Sequence, residues 1–258
     1  MTPVGLVGLA ALQANPARAV VAVDYDGTLA PVVDRPQDAV PAPGAVEILT
    51  TLASRVGVLA LITGRPAAVV VELGGLAAVP GLVVLGQYGA QRWSNGVLSG
   101  VPELPGVAAA RRDLPQLVAA EGAWLEDKGL SLVVHTRTAS DPAGALARLS
   151  GPVAAVGRAH GLEVHPGRLV WELRPPGFDK GAALASLCQP APSAVLFAGD
   201  DLGDLAALDE LDRQRSRGVP GLSVCSGSAE GPAVLRDRAD LVVDGPVGVV
   251  AFLAGVLG

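Results

Sequence analysis

The sequence predicts an α/β protein built on a parallel sheet and interrupted by a smaller α+β insertion, and three observations predict it. Short apolar runs, rich in β-branched residues, end in polar residues at Asp24, Thr63 and Asp200, as buried parallel strands do. Segments of helical composition at 45–55 and 66–76 alternate with the first of them, giving βαβ units with right-handed crossovers. After about residue 104 the pattern changes to a helix followed by a hairpin, and then repeats it. The expected organisation is a core of residues 1–103 and 174–258 around an insertion of residues 104–173.

In chain order, residues 3–12 are apolar and small, and the first basic residue, Arg18, follows them. They are too short to span a bilayer and lack the positive region of a secretory signal, so a helix beside the sheet is expected. Val20-Val21-Ala22-Val23 then runs into Asp24-Tyr25-Asp26-Gly27-Thr28, which sets two carboxylates at the carboxyl end of a central strand, where open α/β sheets bind ligands. Crowded carboxylates repel unless a cation or a shared proton relieves them; Mg²⁺ suits such oxygens and bridges to phosphate. Two solvated carboxylates on an Asp-Gly turn are the alternative.

Residues 60–62 form a strand ending in Thr63-Gly64-Arg65, residues 81–86 another buried strand, and Asn95-Gly96 within 91–98 signals a hairpin. In the insertion, 108–121 and 143–160 read as helices. Residues 123–126 and 131–137 pair around Lys128-Gly129, and 162–164 and 169–173 pair around Pro166-Gly167. Lys180 begins a helix, 194–198 is a strand ending in an acidic cluster, and 241–257 reads as a last strand, a turn and a closing helix.

Composition narrows the function classes. A chain of 258 residues, 50% hydrophobic and 17% charged, can bury one large core with an inserted module. A formal net charge of −6 leaves no basic footprint for nucleic acid, and neither repeats nor membrane spans are evident. Cys188 and Cys225 lie far apart in apolar surroundings and read as buried thiols, so a cytoplasmic location is expected. Lys128 and Lys180 stand against 17 arginines; they are either chance survivors or places where a compact ammonium is needed and a planar guanidinium does not fit.

Asp24-Tyr25-Asp26-Gly27-Thr28, Thr63-Gly64-Arg65, Asp179-Lys180-Gly181 and Gly199-Asp200-Asp201-Leu202-Gly203-Asp204 occur in that order. Together they resemble the four motifs of the haloacid dehalogenase superfamily of phosphotransferases. The resemblance implies a Rossmann-like core with a parallel sheet and a larger, C2-type α+β cap at the insertion. It also implies Asp24 as nucleophile, Asp26 as general acid and base, and Thr63, Gly64 and Lys180 as phosphate-binding groups. Mg²⁺ would be held by Asp24, the Asp26 carbonyl and Asp200, with Asp201 and Asp204 orienting its water and Lys180. Arg65 is expected either to contact substrate or to cap the following helix.

Glu126-Asp127-Lys128-Gly129, His135-Thr136-Arg137 and Glu172-Leu173-Arg174-Pro175-Pro176-Gly177 further resemble the trehalose-6-phosphate phosphatase family. That implies hydrolysis of trehalose 6-phosphate in trehalose biosynthesis, with Glu126, Lys128, Glu172 and Arg137 reading the sugar; a monomer is expected. Glu126 and Lys128 on one strand face can equally form an ordinary cross-strand ion pair. Two departures from the family stand out: Gln87-Tyr88 replaces the usual histidine before Gly-Ala, and Gly203 and Leu205 replace Thr and Glu. Gln87 is retained as a candidate sugar contact. The competing readings are a sucrose-phosphate or mannosylglycerate-phosphate phosphatase and an inactive sugar-phosphate sensor.

Overall fold

The computed structural model describes residues 1–33, 35–167, 169–229 and 231–257. It divides into two compact units, Met1–Gly100 with Asp179–Gly258, and Val101–Phe178. The first begins with helix α1 (Pro3–Ala14), started by Thr2, whose hydroxyl accepts a 3.0 Å bond from the Gly5 amide. There follow β1 (Val20–Val23), α2 (Ala45–Ala53), β2 (Val58–Ile62), α3 (Ala67–Leu73), β3 (Val83–Gly86), β4 (Gln91–Ser94) and β5 (Val97–Gly100). Asn95 and Gly96 take φ of 51° and 80°, the left-handed pair that a two-residue hairpin needs. For that reason β4 and β5 run antiparallel on an otherwise parallel sheet.

The second unit contains α4 (Pro105–Ala120), β6 (Trp124–Asp127), β7 (Leu132–His135), α5 (Pro142–Ala159), β8 (Glu163–Gly167) and β9 (Val170–Arg174). Its strands form an antiparallel sheet in the order β6-β7-β9-β8. Leu132, Val134 and Leu173 pack with Leu114 and Val118 of α4 and Leu149 and Val153 of α5 in one core, so both helices cover the same sheet face. On the other face, Glu126 lies opposite Val133, Val133 opposite Glu172, and Glu172 opposite His165. The second hairpin turn is not at Pro166-Gly167, where the sequence places it: β8 runs through both residues, opposite Trp171 and Val170. An edge strand tolerates a proline, because the missing N–H is lost from no ladder.

The first unit resumes with α6 (Lys180–Leu187), β10 (Val195–Gly199), α7 (Leu205–Ser216), β11 (Gly221–Gly227), α8 (Ala233–Arg238), β12 (Leu241–Asp244) and α9 (Gly245–Gly255). Its eight strands are ordered β12-β11-β10-β1-β2-β3-β4-β5. Alternate residues of β1 feed different cores. Val21 and Val23 pack on one face with Leu12, Leu49, Val70 and Leu253; Val20 and Ala22 pack on the other with Leu184, Leu187 and Leu211. Covered on both faces, the strand reads as an unbroken apolar run. No described helix is long and apolar enough to cross a membrane.

Candidate active site

Asp24 follows the last residue of β1, and its amide continues the ladder by donating to the Ala198 carbonyl at 2.9 Å. The chain then turns sharply. Gly27 takes φ of 77°, and a Cβ there would lie 2.0 Å from Asp200 Oδ2, so a glycine is required both for the turn and for the approach of Asp200. Thr28 donates to Asp200 Oδ1 at 3.0 Å, and Ser226 of β11 donates to the Gly27 carbonyl at 2.6 Å.

Lys180, the first residue of α6, is buried with its Nζ 2.9 Å from Asp24 Oδ1 and 2.7 Å from Asp204 Oδ1. Asp179 caps that helix, accepting from the Ala182 amide at 2.7 Å. Asp204 is fully buried and accepts the Asp200 and Asp201 amides on Oδ2 at 2.8 and 3.0 Å. Asp201 is exposed; it lies 3.8 Å from Lys180 and accepts from Gly203 N at 2.8 Å.

Asp24, Asp200 and Asp204 offer oxygens within 4.8 Å of one another. Burial pushes the Asp24 carboxyl well above its ordinary range; Lys180 opposes the shift, and Asp204 and Asp200 add to it. Burial, then Asp204 and Asp201, pushes Asp200 up to about 7 against the pull of Lys180 and the Thr28 bond. Lys180 resists its own desolvation because Asp204 and Asp24 hold its charge, and its ammonium is carried above the ordinary value.

Asp26 points elsewhere. Arg65 grips it with two bonds, Nε to Oδ2 at 2.6 Å and Nη2 to Oδ1 at 2.7 Å, and donates a third from Nη1 to the Pro36 carbonyl at 2.7 Å. This is the planar fork suited to a carboxylate. The Arg65 amide also donates to Thr63 Oγ1 at 3.1 Å. Thr63 is buried at the end of β2, the strand beside β1. Gly64 makes room for Tyr88, whose hydroxyl would lie 2.7 Å from a Cβ. Gln87 and Tyr88 both take left-handed φ, 46° and 58°, a conformation that costs non-glycine residues about 1–2 kcal/mol each. Their amides donate to the Arg65 and Thr63 carbonyls at 2.9 and 3.0 Å, which fastens this strained turn to the Thr63-Gly64-Arg65 segment.

The structure thus gathers Asp24, Lys180, Asp200 and Asp204 directly, and Asp26 with Arg65 and Thr63 beside them on neighbouring strand ends. In the second unit, Lys128 Nζ lies 3.5 Å from Glu172 Oε1, which also accepts from Ser131 at 3.1 Å. Glu126 Oε2 meets His135 Nε2 at 2.9 Å. Arg137 is exposed just past β7. Sequence reasoning left Ser226, Ser131, His135 and Trp124 without roles. The period-two alternation of 124, 126 and of 133, 135 was the signal available for the last two.

Solved structures share this fold. A C. albicans trehalose-6-phosphate phosphatase C-terminal domain superposes with a TM-score of 0.78 at 21% identity, covering 100% of this chain and 97% of that one. An Aspergillus fumigatus trehalose-6-phosphate phosphatase gives 0.69 at 24% identity, covering 96% and 97%, and a haloacid dehalogenase-like hydrolase from Bacteroides thetaiotaomicron gives 0.67 at 15% identity, covering 91% and 98%. The fold class is therefore that of the haloacid dehalogenase-like proteins.

Within that class the chain belongs to the trehalose-phosphatase family, whose model matches residues 22–236. Trehalose-phosphate phosphatases of Mycobacterium marinum and Mycolicibacterium paratuberculosis are both 34% identical to it, over 74% and 76% of this chain. The matches cover 51% and 52% of those proteins, so the chain spans about half the length of these curated relatives.

Proposed function

We propose that this chain hydrolyses trehalose 6-phosphate to trehalose and inorganic phosphate in two displacements, with the phosphoryl group carried in between by Asp24. The observation that carries the reading is the buried meeting of Asp24 with Lys180, Asp204 and Asp200. One ammonium cannot balance the carboxylates around it: burial raises their pKa values first, and their mutual repulsion adds to the rise against the pull of Lys180. An oxygen-only donor set with excess negative charge fits Mg²⁺. Asp204 is already committed to Lys180 and two amides, so Asp24, Asp200 and the Asp26 carbonyl would hold the ion. When bound, it supplies the charge neutralisation that lets an anionic nucleophile meet a phosphate.

In the first displacement an Asp24 carboxylate oxygen bonds to phosphorus as the phosphorus–sugar oxygen bond breaks, and Asp26 gives that oxygen its proton. In the second, Asp26 takes a proton from water, the water oxygen bonds to phosphorus, and the Asp24–phosphorus bond breaks. Thr63, Gly64 and Lys180 hold the phosphoryl oxygens that do not react. Arg65 engages both Asp26 oxygens, so each proton transfer needs one of those bonds to be given up. Glu126, Lys128, Glu172 and Arg137 are assigned to the sugar hydroxyls; polar groups that a bound ligand covers reject one that leaves them unpaired. The two buried free thiols, Cys188 and Cys225, support a reducing, cytoplasmic setting.

The test is phosphate release from trehalose 6-phosphate, glucose 6-phosphate and sucrose 6-phosphate, with Mg²⁺ and with chelator. Release should be fastest from trehalose 6-phosphate and should stop on chelation. Preference for another sugar phosphate, or indifference to chelation, overturns the assignment.

A further inference from the structure

We propose that Trp124 is a stacking platform for a pyranose ring of the substrate, set beside the hydroxyl-reading groups of the second unit. The proposal rests on the sugar-phosphate reading above. Strand alternation turns Leu125 and Val134 towards the helices, where they join the unit's core. Trp124, Glu126 and His135 therefore share the opposite face with Val133 and Glu172. A tryptophan used for packing faces the helices, as Trp171 does, donating from Nε1 to the Leu146 carbonyl at 2.9 Å. Trp124 does the reverse and is 44% exposed.

Its ring is nonetheless held in one orientation. Trp124 lies directly opposite His135 across β6 and β7, and the two rings stack 4.1 Å apart at an interplanar angle of 5°. His135 is anchored in turn by Glu126 at 2.9 Å. His135 therefore occupies one indole face, and the opposite face is the one on which a ligand ring would stack. A flat, rigid aromatic face loses little entropy on binding and matches the C–H face of a pyranose. Glu126 stands two residues away along the strand, about 7 Å, roughly the width of one sugar ring. The apolar face and the hydroxyl acceptors thus lie at the spacing that a sugar presents.

The test compares the wild type with Trp124→Phe and Trp124→Leu. It uses kcat/KM for trehalose 6-phosphate, kcat/KM for acetyl phosphate, which carries no ring, and calorimetric affinity for free trehalose. Trp124→Leu should lose about two- to tenfold in trehalose affinity and in kcat/KM for trehalose 6-phosphate, through KM, with acetyl phosphate turnover unchanged; Trp124→Phe should retain most of both. If Trp124→Leu binds trehalose as the wild type does, or lowers turnover of both substrates equally, Trp124 only braces the hairpin and the proposal fails. A wild type that binds trehalose yet does not hydrolyse trehalose 6-phosphate overturns the phosphatase reading alone, and the affinity comparison still decides Trp124. A wild type with no affinity for trehalose overturns the platform.

Discussion

Thr28 gives Asp200 one hydrogen bond, while burial and the carboxylates of Asp204 and Asp201 push its pKa up to about 7. A carboxyl whose pKa rises on folding holds its proton more tightly in the folded chain. Its ionisation therefore costs stability in full above about pH 7, and the cost fades as pH falls through that value towards the ordinary carboxylate range. Asp200→Asn keeps an acceptor for Thr28 and removes the charge. At pH 8 with chelator present, the variant should melt higher than the wild type, by about 2–4 °C for each kcal/mol of repulsion relieved. It should also lose phosphate release and the rise in Tm that Mg²⁺ gives the wild type. Scanning fluorimetry with and without Mg²⁺ checks this, and a variant less stable than the wild type in chelator would contradict it.

At the level of the element, the β6–β7 turn carries Lys128 and is fastened from outside. Arg111 of α4 donates to both Asp127 oxygens at 2.5 and 3.0 Å and to the Gly129 carbonyl at 3.2 Å, and it also pairs with Glu103. Gly129, at φ 88°, returns its amide to Asp127 Oδ1 at 2.8 Å. These groups are partly exposed, so solvent screening limits their stabilisation to about 1 kcal/mol or less; what Arg111 contributes is the position of Lys128. Arg111→Ala should raise KM for trehalose 6-phosphate less than Lys128→Ala does, and the double variant should be no worse than Lys128→Ala alone, since both act through one contact. Additive losses would show that Arg111 acts elsewhere. Elements were legible in the sequence where burial left a clean pattern. Val20–Val23 and Val195–Gly199, covered on both faces, read as unbroken apolar runs. Gly221–Gly227 did not, because serines dilute it, and only the fold reveals that Ser223 pairs with Asp240 and Ser226 with the Gly27 carbonyl. Leu205–Ser216 hid a buried side among charges, with Glu210 satisfied by Gln214 and Arg213. Pro166-Gly167 carries a turn signal that an edge strand overrides. In the candidate site, the motifs marked Asp24, Lys180 and Asp200, but the grip of Arg65 on Asp26 joins residues 39 apart and depends on which strand ends become neighbours.

Across the first unit as a whole, one carboxylate ties distant parts of the chain together. Asp240 accepts from the Ser223 amide and hydroxyl at 2.9 and 2.8 Å, from the Thr2 hydroxyl at the start of α1, and from Arg215 of α7. Burial works against its charge, but these donors outweigh it and hold its pKa below the ordinary value. A carboxyl lowered in this way stabilises the fold above the ordinary carboxylate range, and that contribution is lost as pH falls through its own lower pKa. Asp240→Asn should cost about 1.5–3 kcal/mol at pH 7, and the gap from the wild type should close as urea unfolding is repeated towards pH 2; a gap independent of pH would rule out the charge as its source. The sheet has a consequence in time as well as in energy. Val20–Val23 lies between Val58–Leu61 on one side and Val195–Ala198 on the other. During synthesis at about 5–20 residues per second, β1 leaves the ribosome on the order of 10–30 s before its second neighbour exists. Val101–Phe178 is one continuous stretch of chain with its own core and emerges whole within that interval. The nascent chain therefore carries a finished insertion while the strand that bears Asp24 still has an open edge, and Lys180 and Asp200 reach it only with the last third of the chain.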